Sequence, residues 1–149
     1  MHKTIVAVMH FSLWFILCLV LCSCARKPVY PVAPFERGSV RIELSALSEK
    51  KPVFYTFREG KEKGINFFVL KLNGEVQSYF DACAKCYPKK KGYRQAGDRL
   101  DCRACDVTYS VYDLKEGIGS CYPIRLKGRI EAGSYVIDRE DLLQGGKYF

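Results

Sequence analysis

Two Cys-x-x-Cys pairs lie in the middle of the chain, Cys83 with Cys86 and Cys102 with Cys105, and fifteen residues separate the two pairs. Two thiols three positions apart in a tight turn can bind the same ion while backbone N–H groups point at their sulfur atoms. Two such turns, called here the first and the second knuckle, supply four thiolates to one site. We therefore predict a shared metal centre that holds an iron–sulfur cluster or, alternatively, zinc or mononuclear iron.

A fifth cysteine, Cys121, follows later in the segment 117–123, which reads GIGSCYP. Glycines at 117 and 119 favour a close backbone turn on the approach to this thiol. The Cys-Tyr-Pro triplet at 121–123 also repeats the triplet at 86–88. Three roles are open for Cys121: a further cofactor ligand, a ligand that exchanges with another thiol, or a buried apolar side chain.

Disulfide bonds are the alternative to a metal centre, because paired cysteines outside the cytoplasm often oxidise. A bridge within a Cys-x-x-Cys pair is short and redox-labile, however, and five thiols would leave one over. A thiol–disulfide oxidoreductase is also disfavoured, since the sequence has no thioredoxin-like βαβ pattern around either pair. These arguments favour metal binding.

Residues 1–23 have the pattern of a bacterial lipoprotein signal peptide. Lys3 provides a positive charge, residues 5–21 are almost wholly apolar, and Leu21-Cys22-Ser23 precedes Cys24, the cysteine expected to be acylated. An uncleaved transmembrane helix is the alternative, since an apolar segment of this length is near the lower limit for crossing a bilayer. We predict a membrane-anchored lipoprotein of the cell envelope whose domain lies outside the cytoplasm.

Removal of residues 1–23 also removes every histidine, methionine and tryptophan of the chain. The remaining sequence therefore cannot form a blue-copper site, a histidine-based zinc catalyst, or a nucleophile activated by histidine. No catalytic constellation of another kind is present, so we predict an electron-transfer or metal-binding protein and not an enzyme.

The elements that must position the cysteines are mostly β-strands. Alternating or apolar β-prone segments predict strands over residues 40–44, 53–57, 65–72, 76–80, 107–111, 124–126 and 134–137. Asn73-Gly74 predicts a type I′ hairpin between the third and fourth of these. Residues 139–144 favour a short C-terminal helix. The predicted fold is mostly β, a small β-sandwich or open barrel.

Residues 24–39 precede this domain and contain three prolines without hydrophobic periodicity. Such a composition is typical of a semi-rigid tether. A strand-like arm packed on the domain is the alternative. The domain itself is predicted to span residues 40–149.

Basic and aromatic residues surround the predicted ligands. The cations favour ionised thiols and offer a docking face for an acidic redox partner or anionic lipid, although a solvated loop is equally compatible. They are Lys85, Lys89, Lys90, Lys91, Arg94, Arg99 and Arg103.

Five tyrosines either shield the centre or pack the strands: Tyr87, Tyr93, Tyr109, Tyr112 and Tyr122. Despite the net charge of +8, nucleic acid is not a predicted partner of an exported domain.

The residue after each knuckle needs a permissive backbone, because such turns commonly end in a residue with positive φ. Asp106, after the second knuckle, tolerates that conformation. Tyr87, after the first knuckle, fits it less easily, which predicts a looser first knuckle.

The order of strands and knuckles resembles the cluster-binding part of Rieske iron–sulfur proteins. Rieske knuckles carry Cys-x-His and Cys-x-x-His, whereas each knuckle here carries two cysteines. An all-thiolate cluster implies a lower reduction potential, nearer that of plant-type ferredoxins at about −400 mV than that of Rieske centres.

A more specific resemblance rests on residues 83–95, Gly97-Asp98, the second knuckle, and the segment 117–123. Together these segments resemble the FtrD-like domain, a family of membrane iron–sulfur proteins that often accompany bacterial ferrous-iron permease systems. The resemblance covers roughly residues 53–143. It implies that five cysteines are cofactor ligands: Cys83, Cys86, Cys102, Cys105 and Cys121.

The resemblance also implies a role in moving electrons during ferrous-iron uptake, with an iron permease system or a redox partner as the interacting protein. The alternative is a structural zinc module or a metal-relay module without a redox role. The longer members of the family carry several transmembrane helices, whereas here the sequence predicts a lipid anchor at Cys24.

Overall fold

The computed structural model describes residues 28–60 and 62–149. The predicted signal peptide and the lipidation site at Cys24 lie outside the described residues. The described part contains eleven strands and one short α-helix. The strands are β1 (Phe35–Glu36), β2 (Ser39–Glu43), β3 (Val53–Phe57), β4 (Ile65–Leu72), β5 (Glu75–Cys83), β6 (Tyr93–Ala96), β7 (Arg99–Cys102), β8 (Thr108–Ser110), β9 (Pro123–Leu126), β10 (Arg129–Glu131) and β11 (Ser134–Asp138), and the helix is α1 (Arg139–Leu143).

The strands form three antiparallel sheets. The first sheet has the order β1-β2-β11-β10, the second has the order β3-β4-β5-β9, and the third has the order β6-β7-β8. This architecture confirms the predicted mostly β fold and the short helix near the C-terminus.

The second sheet lies between the other two, and β4 shows why. Phe67 and Val69 point into one core, shared with the first sheet, while Phe68 and Leu70 point into another core, shared with the third sheet. Because side chains alternate along a strand, a strand buried on both faces must be apolar throughout. The burial of the apolar segment Phe67–Leu70 on both faces, and the inner position of β4 in its sheet, confirm its prediction as a central strand.

The hairpin between β4 and β5 also follows its prediction. Asn73 has φ 52° and Gly74 has φ 82°, and a type I′ turn requires positive φ at both central residues. The turn fixes the register in which Leu72 faces Glu75. This register delivers Cys83 to the far end of β5, where the first knuckle begins.

The proline-rich segment packs on the domain from Tyr30 onward. The Tyr30 ring stacks on Phe54 with centroids 4.9 Å apart. Thr56 donates its backbone N–H to Pro31 and accepts one from Ala33, each at 2.9 Å. From Tyr30 onward, this segment therefore has the form of an arm packed on the domain and not of a free tether.

The basic segment between the knuckles, expected from its sequence to be a loop, forms the hairpin of β6 and β7. Only one face of this hairpin is buried, so its sequence is too polar to stand out as strand. The turn residues Gly97-Asp98 are a recognised hairpin signal. Gly97 has φ 66°, which glycine adopts without steric cost. Two short strands, β1 and β10, were also not predicted.

Candidate metal centre

The first knuckle continues directly from β5. Cys86 donates its backbone N–H to the Cys83 carbonyl at 3.1 Å, which closes the turn. A 3₁₀ turn over Tyr87–Lys89 follows, and Lys90 ends it with φ 51°. The positive φ thus falls on Lys90 and not on Tyr87, so the first knuckle ends differently from the second.

The second knuckle begins at the end of β7. Asp106 donates its backbone N–H to the Cys102 carbonyl at 2.9 Å, and Cys102 donates to the Val107 carbonyl at 2.8 Å. Asp106 has φ 56°, which confirms the expectation for this residue. The pair of hydrogen bonds holds Cys105 at the tip of the turn.

A third turn brings Cys121 to the knuckles. Ile118 and Cys121 exchange backbone hydrogen bonds of 2.9 and 3.1 Å, and Gly119 between them has φ 61°. Ala84 in the first knuckle donates its N–H to Tyr122 at 2.9 Å, which fastens this turn to the end of β5. The glycine-rich approach therefore forms the close turn that the sequence predicts.

These three turns bring four thiols together: Cys83, Cys86, Cys105 and Cys121. Their sulfur atoms all lie within 4.8 Å of one another. All four are free thiols; three are buried, and Cys105 is half-buried. We call these four residues the thiol cluster.

Cys102 occupies a separate place beside the thiol cluster. It is 1% exposed and is also a free thiol. Its sulfur interacts with those of Cys105 and Cys83 but does not belong to the group of four within 4.8 Å. Spacing alone had paired Cys102 with the ligands of the first knuckle, whereas the compact group contains Cys121.

The cysteines of the site differ in how readily their thiols ionise. Burial opposes ionisation of Cys83, but the backbone N–H groups of Cys86 and Lys85 hold its pKa below the usual value. Burial likewise opposes ionisation of Cys105, and the Val107 N–H holds its pKa low. Each knuckle thus contributes one thiol that ionises readily.

The other thiols resist ionisation. Burial and the neighbouring thiols raise the pKa of Cys86 and of Cys121, and burial raises the pKa of Cys102 to about 12. Several thiolates packed this closely repel one another unless a cation lies between them. The donor set therefore fits a positively charged metal centre.

Two tyrosines of the third sheet face the sulfur atoms. Within the described residues, the hydroxyls of Tyr93 and Tyr109 are buried without a partner in hydrogen-bond geometry. The Tyr93 hydroxyl is close enough to Cys83 to lower the pKa of that thiol. Burial, followed by the charge of Cys83, raises the pKa of both tyrosines well above the usual range.

The other three tyrosines are at the surface. Tyr87 packs edge-on against Tyr148 with centroids 5.2 Å apart, Tyr112 lies under the Lys50 ammonium, and Tyr122 is 43% exposed. Of the five tyrosines considered, only Tyr93 and Tyr109 are buried beside the sulfur atoms.

The basic residues surround the site without entering it. Lys89 donates to the Ala104 carbonyl at 3.3 Å and so links the two knuckles. Arg94 pairs with Asp101 at 3.0 Å, and Lys90 donates to the C-terminal residue Phe149. Lys85 is exposed and Arg103 is half-buried, so the outer surface of both knuckles is positively charged.

Asp81 is a buried carboxylate two residues before the first knuckle. It accepts the backbone N–H of Tyr93 at 2.6 Å and interacts with the Tyr30 hydroxyl. Gly92 lies against the Asp81 carboxylate, where a Cβ atom would collide with it. Asp81 therefore fixes the start of β6 and the arm, a role for which the sequence carries no local signal.

None of the helices in residues 28–60 and 62–149 has the length and apolar character needed to cross a bilayer.

The sequence profile of the FtrD-like family, described as membrane iron–sulfur containing proteins, matches residues 27–149. No curated protein and no solved structure is significantly similar to the chain. The number and type of the clustered thiols fit an iron–sulfur cluster. The chain belongs to the FtrD-like family of membrane iron–sulfur containing proteins.

Proposed function

We propose that this protein is a lipid-anchored electron-transfer protein that holds an iron–sulfur cluster on thiolates and serves bacterial ferrous-iron uptake. The observation that carries the proposal is the thiol cluster, in which four sulfur atoms from three separate turns lie within 4.8 Å of one another. When bound, an iron–sulfur cluster supplies a one-electron redox couple. No other type of metal ligand belongs to this group of four.

We assign the ligands to Cys83, Cys86, Cys105 and Cys121. Cys102 then lies next to the centre as a fifth thiol, close to Cys105 and Cys83. The Cys-x-x-Cys spacing predicts Cys102 as the fourth ligand. In this assignment, Cys121 takes the place of Cys102. The sulfur-to-sulfur distances support the exchange.

Electron exchange with a partner is expected at Cys105. This residue is half-buried, whereas the other members of the thiol cluster are buried. Lys85 and Arg103 on the two knuckles make the surrounding surface positive. A redox partner with an acidic docking surface fits this region, because opposite charges speed encounter and orient the partner.

The packed arm supports the proposal of a lipid anchor near the centre. Tyr30 in the arm interacts with Asp81, two residues before Cys83. Cys24 precedes Tyr30 by six residues, and six residues span at most about 20 Å. An acylated Cys24 would therefore keep the metal-binding end of the domain close to the membrane, where a permease is found.

A single ion, zinc or mononuclear iron, is the second candidate, and one distance favours it. Cys105 and Cys121 have their sulfur atoms 3.8 Å apart. Four sulfurs arranged tetrahedrally at about 2.3 Å from one metal ion lie about 3.8 Å from one another. Ligands of a cluster stand farther apart, so binding a cluster would require the thiols to spread. With zinc, the protein would be a structural or metal-relay module.

The test is to purify the full-length chain in detergent without oxygen and to measure iron, zinc, acid-labile sulfide and the visible spectrum together. Iron with sulfide and broad charge-transfer bands that bleach on reduction supports the electron carrier. Stoichiometric zinc without colour would overturn the redox role and leave the structural or relay module. Iron without sulfide would indicate a mononuclear centre.

A further inference from the structure

One face of the third sheet is turned toward the thiol cluster. In the register of β6, β7 and β8, Tyr93 pairs with Cys102 and Leu100 pairs with Tyr109. Directly paired residues share a face, as do residues two positions apart on one strand. All four side chains are buried in the same core, so the two tyrosines lie on the face that carries Cys102.

The hydroxyls of these two tyrosines differ from those of the other buried tyrosines. Tyr79 donates its hydroxyl to Gln77 at 2.7 Å, and the Tyr135 hydroxyl meets Ser78 at 3.0 Å. Tyr93 and Tyr109 are each 1% exposed, yet their hydroxyls have no such partner within the described residues. A buried hydroxyl without a partner costs free energy, so each example in a native fold calls for an explanation.

Both tyrosines share their core with Cys83, Cys86, Cys102 and Cys121. Among the cysteines, Cys83 has the strongest electrostatic interaction with Tyr93. Tyr109 interacts electrostatically with Cys83, Cys121 and Cys105. A phenol is neutral near pH 7 and carries one O–H donor. Each hydroxyl is therefore available as a hydrogen-bond donor to a negatively charged acceptor.

We propose that the Tyr93 and Tyr109 hydroxyls donate hydrogen bonds to the sulfur atoms of the bound centre and thereby raise its affinity for metal. The inference rests on the proposed function only in that a metal centre forms on the thiol cluster. Metal binding replaces weakly accepting thiols by thiolates, which accept hydrogen bonds strongly. The two hydroxyls act through the ligands, as positioning and tuning residues.

The surroundings hold both rings in place. Asp81 fixes the Tyr93 backbone through the hydrogen bond at 2.6 Å. The Tyr93 ring contacts the rings of Phe68 and Tyr109 edge-on, each at 6.1 Å between centroids. A phenylalanine at either position keeps these ring contacts and removes only the hydroxyl.

The test compares Tyr93→Phe and Tyr109→Phe with the wild type and with Tyr79→Phe, a matched control in the same core whose hydroxyl bonds to Gln77. Co²⁺ is the probe, because its thiolate charge-transfer band reports binding at any four-thiolate site. Each full-length chain is reduced, kept free of oxygen and titrated with Co²⁺. We expect Tyr93→Phe and Tyr109→Phe each to weaken Co²⁺ binding by about tenfold or more, and Tyr79→Phe to leave it unchanged.

Unfolding in urea supplies a second readout. In the metal-free chain, loss of either orphaned hydroxyl should leave the urea midpoint unchanged or raise it. In the Co²⁺-loaded chain, the same change should lower the midpoint. A merely structural role for the hydroxyls would shift both midpoints in the same direction and would overturn the inference.

The outcomes also separate this inference from the proposed function. If the wild type binds Co²⁺ and both Phe variants match it, the tyrosine inference is wrong, and electron transfer is unaffected. If the Phe variants weaken Co²⁺ binding but the purified chain carries only zinc, electron transfer is wrong and the tyrosine inference holds. A wild type that binds no metal at all would overturn both.

Discussion

The sulfur atoms of Cys105 and Cys121 lie 3.8 Å apart, although one belongs to the second knuckle and the other to the separate glycine-rich turn. Through this contact, the site draws on three turns where the Cys-x-x-Cys pattern indicates two. The fifth thiol, Cys102, remains at the end of β7, facing Tyr93 across the strand pair. The centre therefore has one more thiol beside it than a four-ligand site uses.

We predict opposite results for two serine substitutions. Cys121→Ser should lose most of the bound metal, because it removes one of four clustered sulfur atoms. Cys102→Ser should keep the metal, because this sulfur lies outside the group of four. Metal content and the charge-transfer spectrum of the two purified variants provide the measurement. Loss of metal from Cys102→Ser with retention in Cys121→Ser would restore the ligand set predicted from spacing.

Stability of the metal-free protein should fall at alkaline pH. Burial raises the pKa of Cys102 from the usual 9.0 to about 12 and also raises the pKa of Cys86 and Cys121. Between pH 9 and pH 12, unfolding lets these thiols release protons, so the unfolded state binds fewer protons than the folded state. The free energy of unfolding therefore decreases as the pH rises through this window.

The thiols with lowered pKa, Cys83 and Cys105, do not oppose this trend above about pH 10, because they are then ionised in both states. In the metal-loaded protein, the ligand thiols are already deprotonated in the folded state, so the decline should be much smaller. Urea unfolding at pH 10 and pH 11.5, under reducing and oxygen-free conditions, measures both forms. Equal declines in the two forms would contradict the prediction.

The central part of the fold could be predicted because its signals are local. The apolar residues of β4 predict a strand buried on both faces. Asn73-Gly74 predicts the hairpin that leads to Cys83. Positive φ at Asp106 also follows from residue type, since aspartate tolerates that conformation. Each of these features depends on a few consecutive residues.

The composition of the thiol cluster could not be predicted in the same way. Cys121 reaches the knuckles because Ala84 bonds to Tyr122 at 2.9 Å, and such a long-range contact leaves no trace in spacing. The β6–β7 hairpin was missed because three of the four residues of β6 are exposed and its polar sequence resembles a loop. Cys-x-x-Cys spacing thus indicates metal-binding chemistry but does not show which of the five thiols lie closest together.

Charge reversal on the knuckles should alter electron exchange with small charged reagents. Lys85→Glu combined with Arg103→Glu should slow oxidation of the reduced protein by anionic ferricyanide by about tenfold at low salt, and should speed oxidation by a cationic ruthenium hexaammine. Stopped-flow absorbance at several salt concentrations measures both rates. Arg37→Glu, in the turn between β1 and β2 on the first sheet, is the control. Equal effects of the knuckle and control variants would show that electrons do not leave near Cys105.

The glycines beside Cys121 offer a matched pair of alanine substitutions. Gly119 has φ 61° and open space around it, so Gly119→Ala adds only backbone strain of about 1 kcal/mol. Gly117 has φ 66°, and an added Cβ would lie 2.6 Å from the Cys121 carbonyl oxygen. Gly117→Ala must therefore displace Cys121 and should cost about 3 kcal/mol in unfolding free energy.

Metal binding should separate the two variants further. Because Gly117→Ala moves the proposed ligand Cys121, its Co²⁺ affinity should fall well below that of the wild type, whereas Gly119→Ala should bind nearly normally. Urea unfolding of the metal-free chains and Co²⁺ titration of the reduced chains give the two measurements. If Gly117→Ala is destabilised but binds Co²⁺ as the wild type does, Cys121 is not a ligand, and its thiol has only a packing role.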